Sequence, residues 1–270
     1  MKWGLVAKPN DKTVRRIVEE VYVFLKENGI VYVEKGIAKS LAVKGVTTKE
    51  INEKTEIVVT VGGDGTILYA LKDIDKPVFA INSSAMGFLT EVDAKYAESG
   101  LKKVLKGDYN VEERAKLKVL LDGKRLPDAA NEITVQTATV ANIIDFSILV
   151  DDETIEMLKA DGVIIATPTG ATGYALSVGG PIIDPKVEAA VIAPLAPFRL
   201  SSRPWIVPYE KNICIELAKK SKEAKLVIDG RDTYGFHPDQ RVCVTVSDKK
   251  ARFIRFGETF YQAVRLKLVR

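Results

Sequence analysis

Metal-binding and nucleophilic side chains are scarce in this sequence. His237 is the only histidine among 270 residues, which excludes a histidine-based metal cluster and counts against a Ser-His-Asp triad. The two cysteines, Cys214 and Cys243, lie in strand-like segments and form no Cys-x-x-Cys pair. We therefore expect two buried thiols rather than a disulfide framework or a zinc site.

Long apolar runs and a strong charge imbalance are also missing. The first residues, MKWGLVAKPNDKTVRR, turn polar after an apolar stretch too short for a signal peptide or a membrane span. This predicts a cytoplasmic protein without a membrane partner. Forty basic residues against 36 acidic ones give a net charge of only +4, so we expect no nucleic-acid partner. Abundant Lys, Glu, Val and Ile with few Gln and His suggest a thermophilic source.

The first third of the chain alternates strand and helix patterns. Strands are predicted at WGLVAK, GIVYVEK, EIVVTV and KPVFAIN. Between them, apolar residues from Val14 to Leu25 fall on one helical face, and TILYALKD predicts a short second helix. Strand and helix in alternation favour an α/β domain with a mostly parallel sheet.

The pattern changes after about residue 107. Short alternating runs follow, punctuated by hairpin signals at Asp122-Gly123 and Asp151-Asp152. This predicts a β-rich domain of two sheets. The last stretch, GETFYQAVRLKLVR, regains a helical pattern that we expect to pack on the first domain. The predicted domains are residues 1–97 together with 254–270, and residues 98–253.

The segment TVGGDGTILYA, residues 60–70, places three glycines around Asp64 directly after an apolar run. A glycine-rich turn between a strand and a helix binds anions, because free backbone N–H groups and the helix dipole point at one spot. Asp64 would repel a phosphate unless it holds a magnesium ion or accepts a proton from an attacking hydroxyl. The alternative is a simple tight turn, and the segment alone leaves both open.

Further segments accompany this loop in a fixed order. They are NSSAMGFLTE (82–91), Asn131-Glu132, ADGVIIATPTGATGYALSVGGPII (160–183), LSSRPWIVP (200–208) and IDGRD (228–232). Together with GGDGT they resemble the NAD kinase family over nearly the whole chain. GGDGT alone also occurs in diacylglycerol and sphingosine kinases and, in a related form, in phosphofructokinases. The Thr-Pro-Thr-Gly segment after an Asp-Gly strand does not, and it is the most specific of the motifs.

The resemblance implies transfer of a phosphoryl group from ATP or polyphosphate, with a divalent metal such as Mg²⁺, to the 2′-hydroxyl of the adenosine ribose of NAD. It implies that Asp64 is the base and that Gly62, Gly63 and Gly65 shape the phosphate loop. It places catalysis at the cleft between the two domains, and it implies a homo-oligomer, a dimer or a tetramer. It assigns no metal ligands.

Twelve residues form the NAD site that the resemblance implies. They are Asn131, Glu132, Asn142, Lys159, Asp161, Thr172, Gly173, Tyr174, Ala175, Leu176, Ser177 and Arg231. An Asn offers a donor and an acceptor, and a Glu accepts from ribose hydroxyls, which suits sugar recognition. The plain alternatives are a hairpin connection at Asn131-Glu132, a hairpin turn at Asp161-Gly162 and a helix cap at Thr172.

Five positions depart from the pattern of the family. Ala171 stands where Ser is usual and Gly173 where Ala is usual. Ser84 replaces a more usual glycine, Phe198 stands where many members carry His, and Arg231 where some have Gln. Ala171 and Phe198 leave the resemblance intact but put the fine substrate preference in doubt, including tolerance of NADH and choice of phosphoryl donor.

Two other functions stay open. A lipid or sugar kinase that shares only GGDGT needs no TPTGATGY segment, and a lipid kinase would show an apolar docking surface. A non-catalytic NADP-binding sensor would keep the pocket without turnover, against which the retained Asp64 and its glycines argue.

Overall fold

The computed structural model describes residues 1–8, 12–83, 87–257 and 260–268, and the chain forms two compact units. The first unit is Met1–Glu113 with Ala251–Arg270, and the second is Arg114–Lys250. The first unit extends past residue 97 because helix Ala97–Lys106 buries Leu101 in the same core as the strands before it. Within the described ranges, none of the helices combines the length and the apolar character needed to cross a bilayer.

The first unit alternates strands and helices. Its elements are β1 (Lys2–Ala7), α1 (Lys12–Glu27), β2 (Ile30–Glu34), α2 (Lys35–Ala38), β3 (Gly45–Val46), α3 (Thr48–Lys54), β4 (Ile57–Val61), α4 (Asp64–Leu71), β5 (Val78–Asn82), β6 (Val92–Asp93), a 3-10 turn (Ala94–Tyr96), α5 (Ala97–Lys106) and, near the C-terminus, α7 (Phe260–Lys267). The chain passes into the second unit within β7 (Asn110–Leu121) and returns within β18 (Arg241–Arg255). Every strand predicted in the first third is present, and so is the C-terminal helix.

The first unit's sheet is parallel, in the order β5-β4-β1-β2-β3, with β6 and the end of β18 beside β5. From β1 the chain moves to one side through β2 and β3, and then to the other side through β4 and β5. The strand order therefore reverses between β1 and β4. In open α/β sheets the crevice outside the carboxyl ends of the strands at such a reversal is where ligands bind. The Gly-rich loop follows β4 at this point.

The core of the first unit follows the predicted apolar face of α1. Val14, Ile17, Val18, Val21 and Leu25 are buried against β1, β4 and β5, and Phe24 is half-buried at the edge of this cluster. The strands beneath are buried on both faces; in β4 all five residues are buried. Continuous apolar strands are expected where helices cover a parallel sheet.

The second unit is almost entirely strands. Its elements are β8 (Lys124–Arg125), β9 (Glu132–Thr137), β10 (Ile144–Val150), β11 (Glu153–Ala160), β12 (Gly162–Ala166), a 3-10 turn (Gly170–Thr172), α6 (Tyr174–Ser177), β13 (Ala189–Leu195), β14 (Trp205–Pro208), β15 (Ile213–Leu217), β16 (Ala224–Ile228) and β17 (Asp232–Phe236). Asp122-Gly123 and Asp151-Asp152 form the predicted two-residue hairpin turns, with positive φ at all four residues, as such turns require.

Two antiparallel groups of strands enclose the core of the second unit. One group contains β11-β10-β15-β18, and the other has the order β14-β13-β12-β9-β16-β17. The fully buried side chains of Phe146, Ile148, Val163, Ile215 and Phe236 belong to one cluster that both groups contribute to. The β-rich, two-sheet prediction for this region is confirmed.

The expectation of two free thiols is wrong: Cys214 and Cys243 form a disulfide. The residues are 29 positions apart in sequence, but β15 and β18 pair antiparallel with Cys214 directly opposite Cys243. The Cα–Cα distance of 4.1 Å is that of a close cross-strand pair. Cys-x-x-Cys spacing does not predict such a bond, because strand register rather than sequence proximity brings the two sulfur atoms together.

Candidate functional site

The Gly-rich loop connects β4 to α4 and is shaped by its glycines. A Cβ on Gly62 would lie 2.3 Å from Thr66 Oγ1, so this position accepts no side chain. Gly63 is the N-cap residue of α4, and α4 begins at Asp64. Gly65 is exposed, and among the described residues no atom lies within 4 Å of its Cβ position, at the start of the helix. The N-terminal N–H groups and dipole of α4 favour an anion here.

The Asp64 carboxylate is fixed by the backbone of a second loop. Oδ2 accepts the N–H of Phe88 at 2.8 Å, and Oδ1 accepts the N–H of Leu89 at 3.0 Å. A Cβ on Gly87 would lie 2.8 Å from Oδ1, so the close approach of this loop requires glycine. Each carboxylate oxygen has a second lone pair, so the fixed and half-buried Asp64 can still accept a proton.

The loop that contacts Asp64 is itself anchored by the end of β18. Arg255 Nη1 donates to the carbonyl of Leu89 at 3.2 Å and to Glu91 Oε2 at 3.0 Å, while its Nε donates to Glu112 at 2.8 Å. The side chains of Arg255 and Glu91 are 14% and 4% exposed. Low exposure strengthens such charge-assisted bonds, so Arg255 and Glu91 stabilise the conformation of this loop.

In the second unit three sequence motifs meet at one end of a sheet. Glu132 opens β9 and pairs with Ala166, the last residue of β12. The next residue of β9 pairs with the last residue of β16. Because β9 is antiparallel to both neighbours, Asn131 and Glu132 lie beside the loop after β12 and the turn after β16. These are the TPTGATGY and IDGRD segments.

Asp229, in the turn after β16, binds the backbone of the Asn131-Glu132 segment. Its carboxylate accepts the N–H groups of Ala130, Asn131 and Glu132 at 2.8, 2.8 and 3.1 Å. The N–H of Asp229 donates in return to the carbonyl of Glu132 at 3.0 Å. Thr167 adds a further bond, from its hydroxyl to the carbonyl of Ala130 at 2.8 Å. The backbone at Asn131-Glu132 is thus held from two sides.

The side chains of Asn131 and Glu132 keep unused hydrogen-bonding atoms. Asn131 Oδ1 and Glu132 Oε2 are buried and have no hydrogen-bond partner among the described residues. Gly173 lies next to both side chains. A Cβ at this position would lie 3.5 Å from Glu132 Oε2 and 3.6 Å from Asn131 Nδ2. Buried polar atoms normally have partners, so these are candidates for ligand contacts. We call Asn131, Glu132, Gly173 and Asp229 the Asn-Glu cluster.

Both carboxyl groups of this cluster have raised pKa values. Burial, and secondly the charge of Asp229, raise the pKa of Glu132 to about 8. Burial also raises the pKa of Asp229, but its three backbone bonds and the charge of the buried Lys116 oppose this. Glu132 is therefore mostly protonated at neutral pH and can donate as well as accept. From the sequence we expected Glu132 only to accept hydrogen bonds, as an ordinary ionised carboxylate does.

Matches to two family models decide which family the chain belongs to. Residues 3–109 match the ATP-NAD kinase N-terminal domain, and residues 130–256 match the ATP-NAD kinase C-terminal domain. The chain belongs to the NAD kinase family. It is thus an enzyme of that family, as the motifs predicted.

Relatives and solved structures agree with this membership. The chain is 38% identical to the NAD kinase of Methanosarcina acetivorans, over 99% of this chain and 98% of the relative, and 37% identical to that of Thermococcus kodakarensis, over 99% of both. A crystal structure of an NAD kinase from Archaeoglobus fulgidus in complex with ATP is 31% identical, with a TM-score of 0.80 over 98% of this chain and 99% of that one. Yeast NADH kinase complexed with NADH, at 24% identity, shares the fold with a TM-score of 0.92, over 98% of this chain and 86% of that one.

The TPTGATGY segment of this NAD kinase family member packs on the outer face of the β12 sheet. Ala171 and Ala175 are fully buried in an apolar cluster with Ile164 and Ala166. A hydroxyl group at position 171 would therefore need a buried hydrogen-bond partner. Thr172 Oγ1 donates to the carbonyl of Thr169 at 3.1 Å.

The rest of this segment faces outward. Tyr174 is 44% exposed, Ser177 is exposed and Leu176 is half-buried. Tyr174 and Ser177 are thus available for a ligand, whereas the side chain of Ala175 is in the core.

Three predicted NAD residues lie at the other end of β12. Asp161 directly precedes this strand, whose five residues span about 17 Å. Lys159 Nζ lies 3.8 Å from Asp145 Oδ2, and Asn142 lies just before β10, the strand that carries Asp145. The structure therefore brings Asn142, Lys159 and Asp161 into one neighbourhood, apart from the Asn-Glu cluster.

The remaining departures are at the surface or outside the described residues. Arg231 is exposed and directly follows the Asp229-Gly230 turn, on the side of the Asn-Glu cluster. Phe198 is 82% exposed, and its N–H donates to the carbonyl of Lys159. Ser84 lies outside the described residues.

Sequence reasoning missed the residues that support the site. Asp229 appeared only as part of a turn motif, and Thr167 and Lys116 were not singled out. A lone Asp-Gly after a strand usually indicates a turn. The available signal was the run of polar residues directly after β12 and β16, but its meaning depends on β9 lying between them.

Few side chains in the described part of the chain could bind a metal ion. Within the described ranges, no group of three or more His, Cys, Asp or Glu side chains is placed to hold an ion. Asp64 is the carboxylate at the Gly-rich loop, and both its oxygens accept backbone N–H groups. Mg²⁺ is commonly held by one or two carboxylates together with substrate phosphates. This set fits an ion that arrives with a phosphate donor.

Proposed function

We propose that this enzyme transfers the terminal phosphoryl group of ATP or polyphosphate to the 2′-hydroxyl of the adenosine ribose of NAD, and so makes NADP. The observation that carries the proposal is Asp64, fixed by the N–H groups of Phe88 and Leu89 at the point where the parallel sheet reverses its order. Family membership supports NAD as the acceptor.

In the proposed reaction Asp64 accepts the proton of the 2′-hydroxyl. The hydroxyl oxygen forms a bond to the terminal phosphorus of the donor, the bond from that phosphorus to its bridging oxygen breaks, and ADP leaves when ATP is the donor. A carboxylate is a weak base for a sugar hydroxyl, so most of the rate comes from positioning and from neutralised phosphate charge. The two backbone bonds to Asp64 serve this positioning.

The Asn-Glu cluster supports a role in holding NAD. Asn131 Oδ1 and Glu132 Oε2 are buried acceptors without partners among the described residues, and a ribose or a nicotinamide amide supplies the missing donors. The protonated form of Glu132 also donates to a ligand oxygen, which widens the set of groups that it can bind. Tyr174, Ser177 and Arg231 are exposed close to this cluster in sequence and complete the proposed pocket.

The phosphoryl donor is proposed to enter over the Gly-rich loop as its magnesium complex. The exposed Gly65 and the N-terminus of α4 suit the phosphates. The Archaeoglobus fulgidus relative was crystallised with ATP, which supports ATP for this chain. Bound Mg²⁺ would neutralise phosphate charge, and Asp64 is the side chain that would contact it.

The test is to incubate the purified protein with NAD, Mg²⁺ and either ATP or polyphosphate, and to measure NADP with an NADP-specific dehydrogenase. We expect NADP with at least one donor. No NADP with either, at a temperature where circular dichroism shows an intact fold, would contradict the proposal and leave an NADP-binding sensor. Phosphorylation of a lipid or a free sugar in place of NAD would favour the other kinase alternative.

The state of assembly is part of the proposal. We expect a homo-oligomer, a dimer or a tetramer, in the cytoplasm. Light scattering on the purified chain measures the mass of the assembly. A mass near 29.7 kDa, that of one chain, would contradict the expected oligomer.

A further inference from the structure

The C-terminal helix α7 contacts the loop that fixes Asp64. Lys267 Nζ donates a hydrogen bond to the carbonyl oxygen of Gly87, and lies 5.5 Å from the centre of the Phe88 ring. Phe260, at the other end of α7, meets the same ring edge-on, with the ring centres 6.2 Å apart. All these residues belong to the first unit.

One peptide group connects Lys267 to Asp64. The carbonyl of Gly87 and the N–H of Phe88 belong to the same peptide; Lys267 binds its oxygen, and Asp64 Oδ2 accepts its N–H at 2.8 Å. The cation and the anion thus lie at opposite ends of one peptide dipole. Each bond polarises the peptide in the sense that strengthens the other. Gly87 is buried, so water competes little for its carbonyl.

The loop keeps other supports if Lys267 is removed. The hydroxyl of Thr90 donates to the same carbonyl, but at 3.4 Å it is a weak bond. Arg255 binds the carbonyl of Leu89, two peptides further on, and Glu91 accepts the N–H of Phe256. Loss of the Lys267 bond should therefore change the orientation of the peptide that faces Asp64 without unfolding the loop.

We propose that Lys267 is a positioning residue that acts on Asp64 through the Gly87-Phe88 peptide. It holds the peptide N–H on Oδ2, and thereby holds the other lone pairs of the carboxylate in the direction of the acceptor hydroxyl. The inference rests on the proposed function, because it requires Asp64 to be the proton acceptor. It gives the helical C-terminus a role in turnover.

The test compares Lys267→Met with Arg265→Met, a control on the exposed side of the same helix. Met preserves the length of the chain over Phe88 but cannot donate. We expect kcat of Lys267→Met to fall about tenfold with KM for NAD and ATP within about twofold, as for an interaction made in the transition state. Lys267→Arg should recover most of kcat, and Arg265→Met should behave as wild type.

A double-mutant cycle separates this inference from the proposed function. Without the base, its orientation no longer matters, so Lys267→Met should cost nothing further in an Asp64→Asn background. The same tenfold loss in that background, a wild-type kcat for Lys267→Met, or a loss confined to KM would overturn the inference. Wild-type turnover of Asp64→Asn alone would instead contradict the role of Asp64 in the proposed function.

Discussion

Asp64 in the first unit and Asp229 in the second both accept backbone N–H groups next to the end of a strand, and they differ in how many they accept. Asp64 accepts two N–H groups, those of Phe88 and Leu89. Asp229 accepts three N–H groups from consecutive residues and so closes a turn. The comparison teaches that backbone binding alone does not identify a catalytic acid. The two carboxylates differ in how their oxygens are used: each oxygen of Asp64 accepts one N–H group, whereas Oδ1 of Asp229 accepts two and Oδ2 one.

The units also differ in how they are stabilised. The first unit has a parallel sheet covered by helices and contains no cysteine. The second consists of antiparallel strands, one pair of which carries the Cys214–Cys243 disulfide. It also holds two acids with raised pKa values, Glu132 and Asp229. Changes in redox state or pH should therefore act mainly on the second unit.

The largest effect is expected from Asp229→Ala. This change leaves the N–H groups of Ala130, Asn131 and Glu132 without their acceptor, and each buried unpaired N–H costs about 1–3 kcal/mol, for a total of roughly 3–9 kcal/mol. Urea unfolding measures the loss, and Asp239→Ala, on the surface of the same unit, is the control. A loss below about 1 kcal/mol would mean that Asp229 is not the structural member of the pair.

The disulfide gives the next largest effect. Its sequence separation of 29 residues corresponds to about 3.6 kcal/mol of unfolding free energy, which reduction should remove. Unfolding with and without a dithiol reductant measures this, with Cys214→Ala/Cys243→Ala as the variant that should not respond. Thiol titration of the denatured protein should detect two thiols only after reduction. Two thiols without reductant would show that the bond does not form in solution.

The third largest effect is expected from Asp64→Asn, which tests whether Asp64 is the proton acceptor. We expect turnover to fall at least about a hundredfold, or about 2.7 kcal/mol, since a positioned base is lost, while NAD still binds and the fold is unchanged. Steady-state kinetics and NAD titration measure the two effects. Asp108→Asn, an exposed change in the same unit, should have neither. Unchanged turnover would mean that another acid is the base.

The smallest effect is a dependence on pH. The pKa of Glu132 is about 8 in the folded protein, against 4.5 for an ordinary glutamate. Between these values the unfolded chain releases this proton and the folded chain keeps it, so the unfolding free energy falls as pH rises. We expect a fall of roughly 1–2 kcal/mol from this group between pH 6 and 8. Glu132→Gln should lack this part of the slope; an identical slope would contradict the shifted pKa.

Local patterns accounted for much of the fold. The alternation of strand and helix predicted the parallel sheet, and Asp122-Gly123 and Asp151-Asp152 predicted their hairpins, because turn geometry depends on two residues. Strands β3, β6, β13, β14 and β17 were not predicted. In β13 all seven residues are buried, so its sequence lacks the alternation of apolar and polar residues that predicts a strand.

The candidate site was predicted less completely. Motifs supplied Asp64, Asn131 and Glu132, and the assignment of the twelve NAD residues stays a prediction. Their division into two neighbourhoods, with Asp161 at the opposite end of β12 from the Asn-Glu cluster, was not foreseen. A motif such as ADGVIIATPTG is continuous in sequence, but a strand in its middle separates its two ends in space.

The sequence by itself determined the family, the parallel α/β region and the Gly-rich loop with its acid, because these depend on residues close together in the chain. Tertiary structure decided three other things: the Cys214–Cys243 bond, the hold of Asp229 on Asn131-Glu132, and the protonation of Glu132. The first two depend on the register of antiparallel strands far apart in sequence. The third depends on the burial of Glu132 beside the carboxylate of Asp229, and the sequence alone does not show which side chains are buried together.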